Sequence, residues 1–278
     1  YESFLDCREL GRTEDAASAL KEIDRLAAAA PWRYSDADDL VALGKAALEA
    51  GADPKDVLEG FFDRARRNFA RRPDGVLASA ELAIEKGDFQ FAVELLAPAL
   101  ESFADNPEIL WTHYRALRNS NPELAEKSKQ AALAINPDLT AALLAQANQH
   151  IDLEQFEDAA DFIADLRRRN PHHAEACGLL AAIHHLRSKP EEAARVREKG
   201  LAHNPQNPVL DYHTGTTLSR RYRFKEGAAL QRQAAQAKLV FGEADLPVMP
   251  SETHIVPVLV GDPVIFSSEV AGWVNITR

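Results

Sequence analysis

The residues best suited to chemistry stand in one short run: His172, His173 and Cys177, followed by His184 and His185. His173 and Cys177 are four apart, so a helix puts an imidazole and a thiol on one face, a pairing that suits two zinc ligands. His184 lies on the same face but about 16 Å further along at the helical rise, so one zinc cannot use all three. No HExxH, glycine-rich phosphate loop or nucleophile elbow occurs in the chain. The residues predict no catalytic group and no cofactor.

The elements that would position this run form a ladder. Ala92, Ala125, Ala159, Ala193 and Gly227 fall 33, 34, 34 and 34 residues apart. Three residues before each stand Phe89, Pro122, Phe156, Pro190 and Phe224. The pairs Asn136-Pro137, Asn170-Pro171 and Asn204-Pro205 keep the same spacing of 34. Two markers in one register predict a helix-turn-helix repeat. Each Asn-Pro ends a helix, because proline disfavours helical geometry in the residue before it. Pro122 and Pro190 suit a helix start, where a missing N–H costs nothing. The small residue lets the two helices of a pair approach, and the phenylalanine one turn earlier fills the space beside that contact. In this register Cys177 takes an apolar core place, and His150 and His184 take equivalent places one repeat apart. That predicts packing, not metal binding.

On the small residue, the aromatic or proline before it and the terminal proline, the chain resembles the tetratricopeptide repeat family. The resemblance covers roughly residues 73–241 well and residues 1–72 loosely. It implies an all-α, right-handed α-solenoid of stacked antiparallel helix pairs. The family's early tryptophan is replaced by Val76, Ile109, Leu143, Cys177 and Asp211, and its later tyrosine by Ala116, His150, His184 and Leu218. The stretch LSRRYRFKEG, residues 218–227, also resembles the repeat region of large bacterial proteins that carry a zinc-peptidase-like domain. That resemblance implies the alternative of a repeat arm whose catalytic part is missing.

The chain's 278 residues suit one elongated array or two compact domains. A net charge of −11 argues against non-specific nucleic-acid binding. Cys7 and Cys177 make no disulfide framework, which favours a reducing compartment, the cytoplasm. No apolar run is long enough to span a membrane.

In chain order, residues 1–10 read as the end of a helix and Gly11-Arg12-Thr13 as the turn after it, so the chain is expected to begin inside a repeat. An amphipathic helix over 14–29 ends at Pro31 and Trp32. Ser35 is expected to cap a helix running to Gly51, and Asp53-Pro54 to start another that buries Val57, Leu58, Phe61, Phe62 and Ala65. Arg64, Arg66, Arg67, Arg71 and Arg72 form a basic cluster, read as a solvated face or as a dock for an acidic partner. Five helix pairs are expected over 73–241, near 75–86 with 89–103, 107–118 with 122–135, 139–151 with 156–169, 173–187 with 190–203, and 207–220 with 224–241. No pair buries its apolar face alone, so neighbours must stack.

The register stops after residue 241. Residues 254–260 are rich in β-branched side chains and read as an edge strand, with 264–266 and 273–276 as further short strands. Residues 246–263, LPVMPSETHIVPVLVGDP, resemble the start of the small C-terminal domain of 5-aminolevulinate synthase. The large domain carrying that family's cofactor lysine is absent, so no activity carries over. The stretch reads as a junction, and 242–278 as a tail unrelated to the repeats.

Function is expected in the concave wall. The residues predicted to line it are Leu110, Tyr114 and Leu117, then Leu144, Asn148 and Ile151, then Gly178, Ala182 and His185, then Tyr212, Thr216 and Ser219. This wall carries tyrosines and aliphatics but no lysine or arginine, so it predicts a protein or peptide partner with apolar anchors and little sensitivity to salt. The family's carboxylate-clamp subgroup places lysines and asparagines there, and Asn148 alone matches.

Overall fold

The computed structural model describes residues 1–29, 34–241, 264–268 and 272–276. Helices α1 (Glu2–Glu9), α2 (Thr13–Ala29) and α3 (Ala37–Glu49) come first. A short α4 (Pro54–Val57) passes through a π-helical turn, Leu58–Phe62, into α5 (Asp63–Asn68). Five pairs follow: α6 (Asp74–Glu85) with α7 (Phe89–Ser102), α8 (Pro107–Leu117) with α9 (Pro122–Ile135), α10 (Thr140–Asp152) with α11 (Phe156–Arg169), α12 (Ala174–Leu186) with α13 (Pro190–Gly200), and α14 (Pro208–Arg220) with α15 (Phe224–Phe241). Each pair packs internally and against the next, and the result is an all-α solenoid. Strands β1 (Val264–Ser268) and β2 (Gly272–Ile276) pair antiparallel, with Phe266 opposite Val274. Residues 30–33 and 246–263, with the expected Pro31 break, the 254–260 strand and the synthase-like stretch, lie outside the described residues.

Except between α8 and α9, the turns inside the pairs share one design. The first helix ends on a residue with positive φ: Gly11 (70°), Gly51 (88°), Gly87 (80°), Glu154 (62°), Ser188 (57°) and Tyr222 (64°). Two backbone bonds close each turn. At Glu154, Gln155 N–H donates to His150 O (2.9 Å) and Glu154 N–H to Ile151 O (3.0 Å); the same pair recurs at Ser188 and Tyr222. This double closure satisfies carbonyls that the helix end would leave orphaned. At the end of α8 the chain departs, and both Ser120 and Asn121 N–H donate to Leu117 O.

The links between pairs explain the asparagine in Asn-Pro. The side-chain oxygens of Asn136, Asn170 and Asn204 accept from the backbone N–H two residues on, at 3.0, 3.1 and 3.2 Å. Asparagine thus folds the turn while the proline beside it stops the helix. Asn204 also reaches the far end of the chain: its Nδ2 donates to Glu9 O at 2.9 Å, in the turn that carries Gly11. Helix starts are capped by Asp36, Asp53, Asp88, Asn106, Asn121 and Asn207 side chains. The cap of α3 is therefore Asp36, not Ser35, because it is the Asp36 carboxylate that accepts from Asp39 N–H.

Ala92, Ala125, Ala159 and Ala193 are all buried at equivalent contacts, as is Gly227. Phe89 and Phe156 are half-buried beside those contacts, whereas Phe224 is 42% exposed with its ring edge on Tyr222. The tryptophan places hold Val76, Ile109, Leu143, Cys177 and Asp211, all buried. Four are apolar. Asp211 is gripped instead by the Arg197 fork, at 2.7 and 2.6 Å. In the 54–68 helix Val57, Phe62 and Ala65 are buried, and the π turn sets Phe62 five residues after Val57 on the core side.

Candidate functional site

Helix α8 carries Trp111, Tyr114, Arg115 and, at its C-cap, Arg118. Spacings of three and four put these on one stripe. The rings of Trp111 and Tyr114 stack at 4.8 Å, with 26° between their planes. From α9, buried Lys129 reaches beneath, with its Nζ 5.7 Å from the Tyr114 centroid. That ammonium also donates to Gln149 Oε1 (3.0 Å) and pairs with Glu126 (2.9 Å). Tyr114 is thus held from behind by a fixed cation.

Across from this stripe, α10 presents Thr140, Leu144, Asn148 and Asp152, and His173, Glu175 and Arg220 close the far end. Together they surround a cavity of about 860 Å³. The Arg220 guanidinium donates to Asn148 Oδ1 at 2.7 Å and lies 3.5 Å from Asp152. Asn148 Nδ2 donates to Leu144 O at 3.1 Å, so its amide is already engaged at both ends. Arg221 donates to Asp152 O at 3.1 Å and pairs with Glu154, which ties the end of α14 to the end of α10.

Glu175 sits 3.5 Å from His213 Nδ1, each side chain about a quarter exposed. Burial pushes Glu175 up to about 7. Burial first, then the charges of Arg220 and His173, pushes His213 down to about 4. Near neutral pH this corner therefore resists carrying its charges. Glu126 is different. Burial would raise it, but hydrogen bonds from Gln130 and Lys129 hold it below the usual carboxylate range. Arg115 and Arg118 are the unmatched charges of the groove: neither guanidinium has an acidic partner among the described residues.

Of the residues predicted for the inner wall, Tyr114, Leu144 and Asn148 line this cavity. Leu117 and Ile151 do not: they are buried, at 7% and 0% exposed. Leu110 packs beside the Ala132, Leu139 and Ala142 cluster, and Tyr212 turns its ring edge to His213. Thr216 accepts from Gln231, and the His185 carbonyl accepts from Arg223. The open stripe is rotated by about one residue from the predicted one, which brings in Trp111, Arg115, Arg118 and Asp152. The wall expected to be free of arginine thus carries three, Arg115, Arg118 and Arg220. Trp111, three residues before Tyr114, was the available signal.

The metal candidate is taken up by packing. Cys177 is fully buried among Ala181, Ala193, Val196 and Leu210, and its thiol donates to Pro171 O at 3.5 Å. Burial pushes that thiol up, against the charge of Arg167. His173 caps α12 by accepting from Ala176 N–H at Nδ1, His172 Nδ1 donates to Lys199 O, and His150 stacks on Phe162 at 5.3 Å. Among the described residues no three metal-ligating side chains gather, and no helix is long and apolar enough to cross a membrane. Three arginines of the basic cluster are paired on the surface: Asp63 with Arg66 and Arg67, and Asp38 and Asp74 with Arg72.

No protein-family model and no curated protein matches the chain. Among solved structures, a tetratricopeptide repeat protein from Parabacteroides merdae superposes with a TM-score of 0.53 at 16% identity, covering 86% of this chain and 95% of its own. PilF of Pseudomonas aeruginosa gives 0.46 at 18% identity, over 63% of this chain and 82% of its own. MamA of Desulfovibrio magneticus gives 0.40 at 17%, over 58% and 91%.

Proposed function

From the tetratricopeptide repeat fold, which the chain shares with the Parabacteroides merdae protein, we propose that this is a non-catalytic interaction scaffold. Its array over 73–241 holds an extended or helical segment of another protein in the groove of α8, α9 and α10. Residues 1–72 extend the array as degenerate repeats. The observation that carries this reading is the stacked Trp111–Tyr114 pair facing an open cavity. Aromatic rings dominate binding hot spots, and rings fixed on a helix lose little entropy when a partner arrives. Half-buried Ala141 and Ala145 give the groove an apolar floor over Leu144. A single groove of this kind is expected to bind at about micromolar strength or weaker.

The test is to pan a displayed random-peptide library against the immobilised chain and titrate the enriched peptides. Tyr114→Ala should weaken them at least about fivefold, the equivalent of about 1 kcal/mol, with helical content intact. Loss in an Arg64→Ala, Arg67→Ala, Arg71→Ala variant, with Tyr114→Ala unaffected, would overturn the proposal in favour of the outer face.

A further inference from the structure

We propose that the groove's occupant is an acidic segment in which carboxylates flank apolar side chains, gripped by Arg115 and Arg118 beside the Trp111–Tyr114 stack. This rests on the groove being the binding site. Two acids of the groove are paired, Glu126 with Lys129 and Asp152 with Arg220, and Glu175 is turned to His213 at the far end, away from Arg115 and Arg118. Arg115 and Arg118 have none among the described residues, and Arg115 is half-buried. A guanidinium partly removed from water and left without an anion is an unpaid cost that a carboxylate removes, most effectively as a two-pronged pair. The two arginines are three apart, about one helical turn, with the Trp111–Tyr114 stack beside them. An acid that met both would lay its neighbouring apolar side chain on those rings.

The net charge of −11 does not oppose this. The screening length at physiological salt is about 8 Å, so a bound carboxylate feels the groove and little of the rest of the surface. In the basic cluster near α5, Arg66, Arg67 and Arg72 are already paired, and Arg64 and Arg71 are the competing cations that the test below includes.

The probe is a fluorescein-labelled peptide of Glu-Glu-Leu repeated about four times, with counterparts carrying Gln or Lys in place of Glu. Anisotropy is read at about 20 mM and about 500 mM salt, against a Debye length of tens of ångströms and of a few. The acidic peptide should bind about tenfold tighter than the Gln peptide at low salt, and the Lys peptide should not bind. Arg115→Gln with Arg118→Gln should erase the difference, as should high salt, while the melting temperature stays unchanged. If Glu and Gln peptides bind equally and both are lost with Tyr114→Ala, the groove reading stands and the acidic occupant is overturned. Failure of the acidic peptide to bind the wild type, or its loss only on substituting Arg64, Arg67 and Arg71, overturns it as well. The groove reading is then judged by the panned peptides.

Discussion

Gly215 and Gly227 meet across the last helix pair so closely that a methyl on Gly215 would lie 2.7 Å from Gly227 O, and one on Gly227 would lie 2.6 Å from Gly215 O. The earlier pairs carry alanine at the Gly227 place, so the last pair makes the recurring contact with no Cβ on either side.

Gly227→Ala restores the residue type of the other repeats, and alanine gains about 1 kcal/mol of helix propensity over glycine. Overpacking against backbone costs about 1–3 kcal/mol, and here the Ser219 hydroxyl and backbone also stand in the way. The variant is expected to be destabilised in urea unfolding. A midpoint at or above that of the wild type would contradict the contact.

Ser188 holds φ 57° at the turn between α12 and α13. A left-handed conformation costs a non-glycine residue about 1 kcal/mol, and glycine's extra freedom in the unfolded chain offsets part of that. Ser188→Gly should therefore stabilise by up to about 1 kcal/mol. Ser120→Gly, at the one turn of the array that lacks the left-handed residue, should gain nothing. Differential scanning calorimetry of the two variants separates these outcomes.

Arg197, its side chain partly exposed, forks onto the buried Asp211 at a place that is apolar in every other pair. Arg197→Leu leaves a carboxylate buried without a partner and should cost about 3–5 kcal/mol. Arg197→Leu with Asp211→Leu removes both charges and should recover most of that loss. Chemical denaturation of the single and double variants measures the difference. A double variant as unstable as the single would contradict the argument.

Burial raises Glu175 from 4.5 to about 7. The folded chain therefore keeps a proton that the unfolded chain releases. Stability from this group is full below about pH 4.5 and is lost as pH rises towards 7. Glu175→Gln has no such proton, so its stability relative to wild type should climb across that window and level off above it. His213, with a folded value near 4, acts in the opposite sense between about pH 4 and 6.5, gaining stability as pH rises. Comparing the variant with wild type at each pH isolates Glu175. A pH-independent difference would contradict the assignment.

The repeat was legible because its markers are geometric necessities. Ala92 to Gly227 sit where backbones touch, and Asn136, Asn170 and Asn204 fold the links. The wall was less legible. One residue of rotation on a helix is about 100°, so a stripe counted from Leu110 sent Leu117 and Ile151 to the surface and hid Arg118. The left-handed turns at Glu154, Ser188 and Tyr222 were not legible either, since none of those residue types favours positive φ. Nor was Arg220, which reaches Asn148 from 72 residues away.

The central claim is that a partner segment lies on the Trp111–Tyr114 stack. The chain has three tryptophans, so Trp32→Phe with Trp273→Phe leaves Trp111 as the sole reporter. Saturation with a panned peptide lacking aromatic residues should shift or quench its emission, with the same midpoint as the binding isotherm. The shift should vanish in Tyr114→Ala. Full binding with an unchanged Trp111 spectrum would place the partner elsewhere and contradict the account.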